Sequence, residues 1–304
     1  MATEGQVVPK VWKSEHFINH PLVGQIMSGA GVVVGEGNLT AALINARYVL
    51  VGETHTNPDH HHIQARVITA LVTQERRPHI VLEMVSRSMS PKFDKLRAHG
   101  TPGEWDNALQ WTSRGWPDIE LYRPIFDVAL QNSLPLLAGN IDRTLSKDIA
   151  RRGMSALSDN QRRTFMLARS LSKGSQAELV SDMASSHCGM MPKEILPRMA
   201  DVQRARDGSM AATMLRVPNE ATTVLIAGSG HVRKDRGVPF YLTAADTKSI
   251  SVSVGLIEVE DSLENYSDYL LVNQQGTKLY DYVIFTPKAD LTDHCLELKK
   301  RFKK

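Results

Sequence analysis

Cysteine is scarce: Cys188 and Cys295 are the only two in 304 residues. They stand far apart and form neither a CxxC pair nor zinc-finger spacing, so a small disulfide scaffold is excluded and two free, buried thiols are expected. No apolar run is long enough to cross a bilayer as a helix. The opening stretch, residues 1–16, lacks the charged-then-apolar pattern of an export signal and any cysteine for lipidation, so neither a transmembrane segment nor a leader is expected in the chain as written. An excess of one charge is missing too. Lysine and arginine number 36 against 33 acidic residues, and Lys299, Lys300, Arg301, Lys303 and Lys304 supply the whole basic surplus. A solvated basic tail accounts for it, and no nucleic-acid partner is expected.

What is present suffices for a large core. Hydrophobic residues make up 42% of the chain and charged residues 23%, nearly balanced in sign, which excludes disorder as the main state. A chain of this size makes one large domain or two ordinary ones and buries roughly 75% of its unfolded surface. Four short apolar runs each end in a polar or glycine-bearing group: RYVLVGETH (47–55), PHIVLEM (78–84), LPLLAGN (134–140) and TTVLIAGSGH (222–231). Continuous runs of this kind, separated by helical patterns, predict buried parallel strands and an α/β fold: a mostly parallel sheet flanked by helices. Asn57 as cap, Pro58 at the first helical position and Ile63, Val67 and Leu71 at four-residue spacing predict a crossover helix over 58–76. From 140 to 216 helical stretches replace strands, as at 158–172 and 190–216. That predicts a helical insertion subdomain within a discontinuous α/β domain (1–139 and 217–304), with 88–131 as a candidate addition. Segments 249–259 and 279–287 read as further strands at a sheet edge, and 29–40 reads as an early hairpin.

Open parallel sheets bind ligands where the loops gather beyond the strand C-termini. In this sequence those ends deliver Glu53 and His55, then Glu83, Asn140 and His231. Each alone is read most simply as a helix cap or a satisfied loop residue. Together they predict one site. Two ends share Gly-x-x-His spacing, Gly52 to His55 and Gly228 to His231, and glycine there suggests a sharp or positive-φ exit from the strand. His60, His61 and His62 cannot all face one ion, because successive helical positions point about 100° apart. His60 falls on the inward face as a satisfied buried histidine or a polar contact near the crevice, and His62 on the outer face with Arg66.

The segments VGETHTNPDHHHIQ, RPHIVLEM, WPDIELYRPIFDVA, LPLLAGN, HCGMMPKEILPRMADVQRARDGSMA and VLIAGSGHVRKDRGVP occur in order between about 47 and 240. The sequence there resembles the ChaN-like haem-binding uptake proteins of the Tiki superfamily. The resemblance implies a bacterial lipoprotein of haem or iron uptake, periplasmic or membrane-associated, serving an outer-membrane haem receptor or transporter. It further implies a homodimer that encloses two stacked haems, each iron held by a tyrosine, with a histidine and a lysine of the other subunit near the propionates. A phenolate is a suitable hard ligand for ferric haem. Tyr122, in WPDIELYRPIFDVA, is the first candidate for it and Tyr241 the second. Arg206, in RARDGSMA, is a candidate partner for a propionate, equally readable as half of a surface ion pair. Methionines 183, 190, 191, 199, 210 and 214 read as core filling that also suits a large flat ligand. Arg233, Lys234 and Arg236 are further anion candidates or a solvated face. Other members of the superfamily resemble metal-dependent peptidases or esterase-like hydrolases. On that alternative His55 and His231 hold a divalent metal ion together with Glu53 or Glu83, and the remaining carboxylate serves as general base on bound water.

Overall fold

The segment YVLVGE is buried at every position, and its side chains alternate between two helical layers. Val49 and Val51 pack on one side of the sheet with Leu39, Leu43, Ile63, Val67, Ile125 and Phe126. Tyr48 and Leu50 pack on the other with Met210, Met214, Val238 and Leu242. A strand covered on both faces needs an uninterrupted apolar run, and this is why the four runs could be recognised. The computed structural model describes residues 6–96, 101–269 and 271–302. Part of the stretch 88–131, and Lys303 and Lys304 of the basic tail, therefore lie outside the described residues.

The described strands are β1 (Ile26–Ser28), β2 (Tyr48–Glu53), β3 (His79–Ser86), β4 (Leu136–Asn140), β5 (Thr223–Gly228), β6 (Ser251–Glu258) and β7 (Tyr282–Thr286). They form a seven-stranded sheet in the order β1-β7-β6-β2-β5-β3-β4. All neighbours are parallel except the β1–β7 pair. The fold is α/β. Helices α1 (Glu36–Asn45) and α2 (Pro58–Thr73) flank β2; α3 (Ser90–Leu96), α4 (Pro102–Leu109) and α5 (Arg123–Gln131) join β3 to β4. Helices α6 (Arg143–Arg152), α7 (Asp159–Thr164), α8 (Lys173–Ser186) and α9 (Leu196–Leu215) lie between β4 and β5. Helices α10 (Val238–Ala245) and α11 (His294–Phe302) follow β5 and β7.

Asn57 caps α2 as its sequence requires: its side-chain oxygen accepts from Asp59 N at 2.9 Å and His60 N at 3.3 Å. Helices α6 to α9 carry two small apolar clusters of their own, one around Ile149 and Phe165, the other around Leu179 and Leu196. Met210 and Met214 of α9 also join the sheet core, so this helix is shared.

Three expectations are corrected. Segments 249–259 and 279–287 become β6 and β7, but these lie inside the sheet; the edges are β1 and β4. The 29–40 hairpin is shorter than expected: Ser28 N donates to Val32 O and Val34 N to Ile26 O about a tight turn and a Met27–Val33 bridge, after which α1 begins at Glu36. The two cysteines are not free thiols. Cys188, just past α8, and Cys295, in α11, form a disulfide with Cα atoms 5.4 Å apart. Linear separation hid the pairing, because it depends on the last helix returning against the loop after α8. Among the described residues no helix is long and apolar enough to cross a membrane.

Candidate functional site

Strands β2, β5 and β3 run parallel side by side, and Glu53 at the end of β2, Glu83 in β3, and His55 and His231 just beyond β2 and β5 meet in one crevice. Glu53 sits at its floor, 3% exposed. One carboxylate oxygen, Oε1, lies 2.7 Å from His55 Nδ1 and accepts from the Tyr122 hydroxyl at 2.6 Å. The other, Oε2, lies 3.0 Å from His61 Nδ1, near enough for ion pairing but without hydrogen-bond alignment. Burial alone would push this carboxyl up; His61 and His55 outweigh it and hold Glu53 well below the usual carboxylate range.

Glu83 forms the second centre. Its Oε2 accepts from Gly228 N at 2.8 Å and lies 3.7 Å from His55 Nε2. Its Oε1 lies 3.2 Å from His231 Nε2 and 3.8 Å from an Arg206 nitrogen. On the far side of His231, Nδ1 meets Asp207 Oδ1 at 2.6 Å. Burial works against a charged imidazole here, but Glu83 and Asp207 prevail and push His231 up to about 10. His231 foremost, with His55 and Arg206, overcomes burial and holds Glu83 below the ordinary carboxylate range, whereas burial dominates at Asp207 and raises it. His55 is raised as well: burial opposes the charge and Glu53 and Glu83 favour it. A continuous chain of alternating charge thus runs Glu53, His55, Glu83, His231, Asp207.

The two Gly-x-x-His glycines are required for closeness rather than for unusual dihedrals, since neither has a positive φ. A Cβ on Gly52 would stand 2.4 Å from Val232 Cγ2 and 2.8 Å from Ser229 Cα. One on Gly228 would stand 3.1 Å from His55 Nε2. Both glycines let the turn that carries His231 settle onto the end of β2.

Other expected site residues are placed differently. Tyr122 is fully buried, and its phenol is pushed well above its ordinary value by burial and by Glu53, to which it donates. Tyr241 is also fully buried, is pushed by burial up to about 12, and its hydroxyl lies 3.4 Å from Arg204 Nε. His60 is no contact of the crevice: Nδ1 accepts from Thr54 N at 2.8 Å, Nε2 faces Thr286 Oγ1 at 2.8 Å, and burial lowers it to about 3. Asn140 is turned into the backbone, donating to Glu83 O and accepting from Ile141 N, both at 2.8 Å.

Two participants escaped the sequence. His61 was passed over within the histidine run, yet its ring stacks 4.0 Å from Tyr122 and supports Glu53. Asp207 stood in the motif beside Arg206 without a role; acidic and three residues before the packed Met210, it could have been singled out.

The donor set does not suit the proposed metal centre. Both ring nitrogens of His231 face carboxylates, and an imidazolium has no lone pair to give. Glu53 and Glu83 face imidazoles rather than a shared point. Among the described residues no group of three or more His, Cys, Asp and Glu side chains is arranged to hold a metal ion.

Beside this chain of charge the crevice opens. A mouth of about 150 Å³ is lined by Arg114, Trp116, Asn140, Arg143, Ser146 and Arg206. Trp116 meets the His55 ring edge to face, 5.1 Å between centroids, and the His55 side chain is 31% exposed. Arg206 Nε is buried without a hydrogen-bond partner.

An α/β sheet with a polar, cation-rimmed crevice at its strand ends defines a ligand-binding protein of the open-sheet class. The family described as haem-binding uptake, Tiki superfamily, ChaN matches residues 39–242, and the chain belongs to it. Among solved structures, the chain is similar to ChaN of Campylobacter jejuni with cofacial haem bound: 23% identity, TM-score 0.65, covering 85% of this chain and 95% of that one. It is also similar to a mutant erythromycin esterase in its open conformation, at 12% identity and TM-score 0.50, covering 86% of this chain and 95% of that one. At these identities the likeness is one of fold. Among curated proteins none matches the sequence.

Proposed function

We propose that this protein binds haem for uptake, at the mouth beside the strand ends, between two copies of the chain. The observation that carries this reading is the mouth itself: one indole for a flat apolar ring and three guanidiniums, Arg114, Arg143 and Arg206, for propionate carboxylates. Membership of the family supports the choice of ligand. Cavities that enclose a drug-sized molecule run to about 300–1,000 Å³. A mouth of about 150 Å³ takes only the edge of a tetrapyrrole. The rest must be covered by another surface, which favours the homodimer. The Cys188–Cys295 disulfide supports an oxidising compartment such as the periplasm, where a haem receptor or transporter would be its partner. Haem bound to such a site would supply a redox-active iron; what this chain contributes at the mouth is propionate recognition and an apolar wall.

Haem titration followed at the Soret band tests the reading. Micromolar binding is expected, weakened roughly tenfold or more in Arg143→Ala/Arg206→Ala and retained in Tyr122→Phe, with sedimentation showing dimers when haem is added. No spectral change at micromolar haem would overturn it.

One observation favours a second reading. His55 and His231, each oriented by a carboxylate, face one another across Glu83. His55, the exposed member of the pair, can move a proton to and from a substrate, so the second function is ester or amide hydrolysis by general acid–base catalysis. Turnover of activated esters that disappears in His55→Ala would support it.

A further inference from the structure

A cavity larger than the strand-end mouth lies elsewhere. It measures about 440 Å³ and lies along the open edge of the sheet, where β4 has no strand partner. Its floor is Leu137 and Ala138 of β4, its wall Val217 and Pro218 just beyond α9, and two guanidiniums, Arg87 and Arg216, stand over it. The same two arginines line an adjoining cavity of about 260 Å³ together with Phe165, Leu145 and Asp142. An edge strand offers unpaired backbone groups that proteins normally cover. Here α9 covers two of them, through Ser209 Oγ to Gly139 O at 2.8 Å and Thr213 Oγ1 to Ala138 O at 3.4 Å. The space outside them is left apolar and cationic.

The two cations are poorly neutralised. Among the described residues no carboxylate forms an ion pair with Arg216 or Arg87; Asp142 favours the Arg87 charge without pairing with it, and its Oδ1 already accepts from the Ser88 hydroxyl. Burial and the charge of Arg216 both disfavour the Arg87 guanidinium. The Phe165 ring also faces it, 5.9 Å from Cζ to the ring centroid. Two like charges held together over an apolar floor are stabilised by an anion placed between them.

We propose that this edge cavity is a binding site for a single-chain aliphatic carboxylate. The carboxylate would bridge Arg87 and Arg216, and the chain would lie on Leu137, Ala138, Val217 and Pro218. Guanidinium forks match a carboxylate in two hydrogen bonds. The volume of about 440 Å³ falls within the range that encloses small ligands, unlike the strand-end mouth. The site is separate from that mouth and does not rest on the haem reading.

Dodecanoate and dodecanol titrated calorimetrically into the full chain test the proposal. The acid should bind at micromolar concentration and the alcohol roughly tenfold or more weakly. Arg87→Ala/Arg216→Ala should lose at least about tenfold in dodecanoate affinity. Arg87→Lys/Arg216→Lys should recover most of it, and Arg206→Ala should be unaffected. In the unaltered protein a diazirine-bearing dodecanoate should crosslink within 136–138 or 213–218. Equal binding of acid and alcohol, undiminished binding by the alanine pair, or crosslinks confined to the strand-end mouth would overturn the site. Loss of the haem Soret band in the alanine pair would show one site instead of two and overturn it equally.

Discussion

Replacing Glu83 by glutamine isolates the electrostatics of the crevice. His231 has a folded value of about 10 against an ordinary 6.5. The folded value lies above the unfolded one, so the protonated ring favours the folded state. Its contribution is complete below about pH 6.5 and is lost as pH rises toward about 10. At about 1.36 kcal/mol per unit the interval sets a ceiling of roughly 5 kcal/mol. Glu83 and Asp207 share the same contacts, so a loss of a few kcal/mol is expected. In Glu83→Gln the ring keeps only Asp207 and a buried pair is broken, which costs about 3–5 kcal/mol near pH 7 and flattens the alkaline decline. Urea unfolding at stepped pH measures both chains, and the His231 Cε1 proton resonance reports its titration directly. A wild-type free energy that is flat from about pH 7 to about pH 10, or an unchanged slope in the variant, would refute the reasoning.

Further consequences concern single contacts. Tyr122→Phe removes the donor to Glu53 Oε1, 2.6 Å away; a loss of about 1–2 kcal/mol in unfolding free energy is expected. Gly52→Ala drives a Cβ to 2.4 Å from Val232 Cγ2 and 2.8 Å from backbone. It should cost about 1–3 kcal/mol and move the His231 resonance, and a neutral effect would show that the turn is not seated on β2. The disulfide spans 107 residues, and closing such a loop contributes up to about 5 kcal/mol. Unreduced, unfolded protein should give no free thiol in a thiol assay, two after reduction, and a lower urea midpoint when reduced. On the acid side, Glu53 and Glu83 lie below their ordinary values, so their stabilisation is present above about pH 4.5 and fades as pH falls.

The sheet was legible because burial on both faces leaves a one-dimensional trace. Runs such as YVLV and VLIA are apolar throughout, and which residue follows each at the strand end is set by chain direction alone. That is why Glu53, His55, Glu83 and His231 could be gathered before any coordinate was known. The phase of α2 was equally local, fixed by Asn57 and Pro58. What each gathered side chain touches was not local. Tyr122 lay in the right motif, but whether its hydroxyl meets a haem or Glu53 depends on how the segment before α5 packs over β2. His61 and Asp207 acquire partners 8 and 24 positions away only when α2 and α9 dock on opposite faces. The sequence by itself determined the α/β layout and which chemical groups arrive at its strand ends, since these follow from periodicity and order along the chain. Only the tertiary structure decided the pairing of charges, the fate of the tyrosines and cysteines, and the place of the edge cavity, because each depends on distances between segments that no linear spacing encodes.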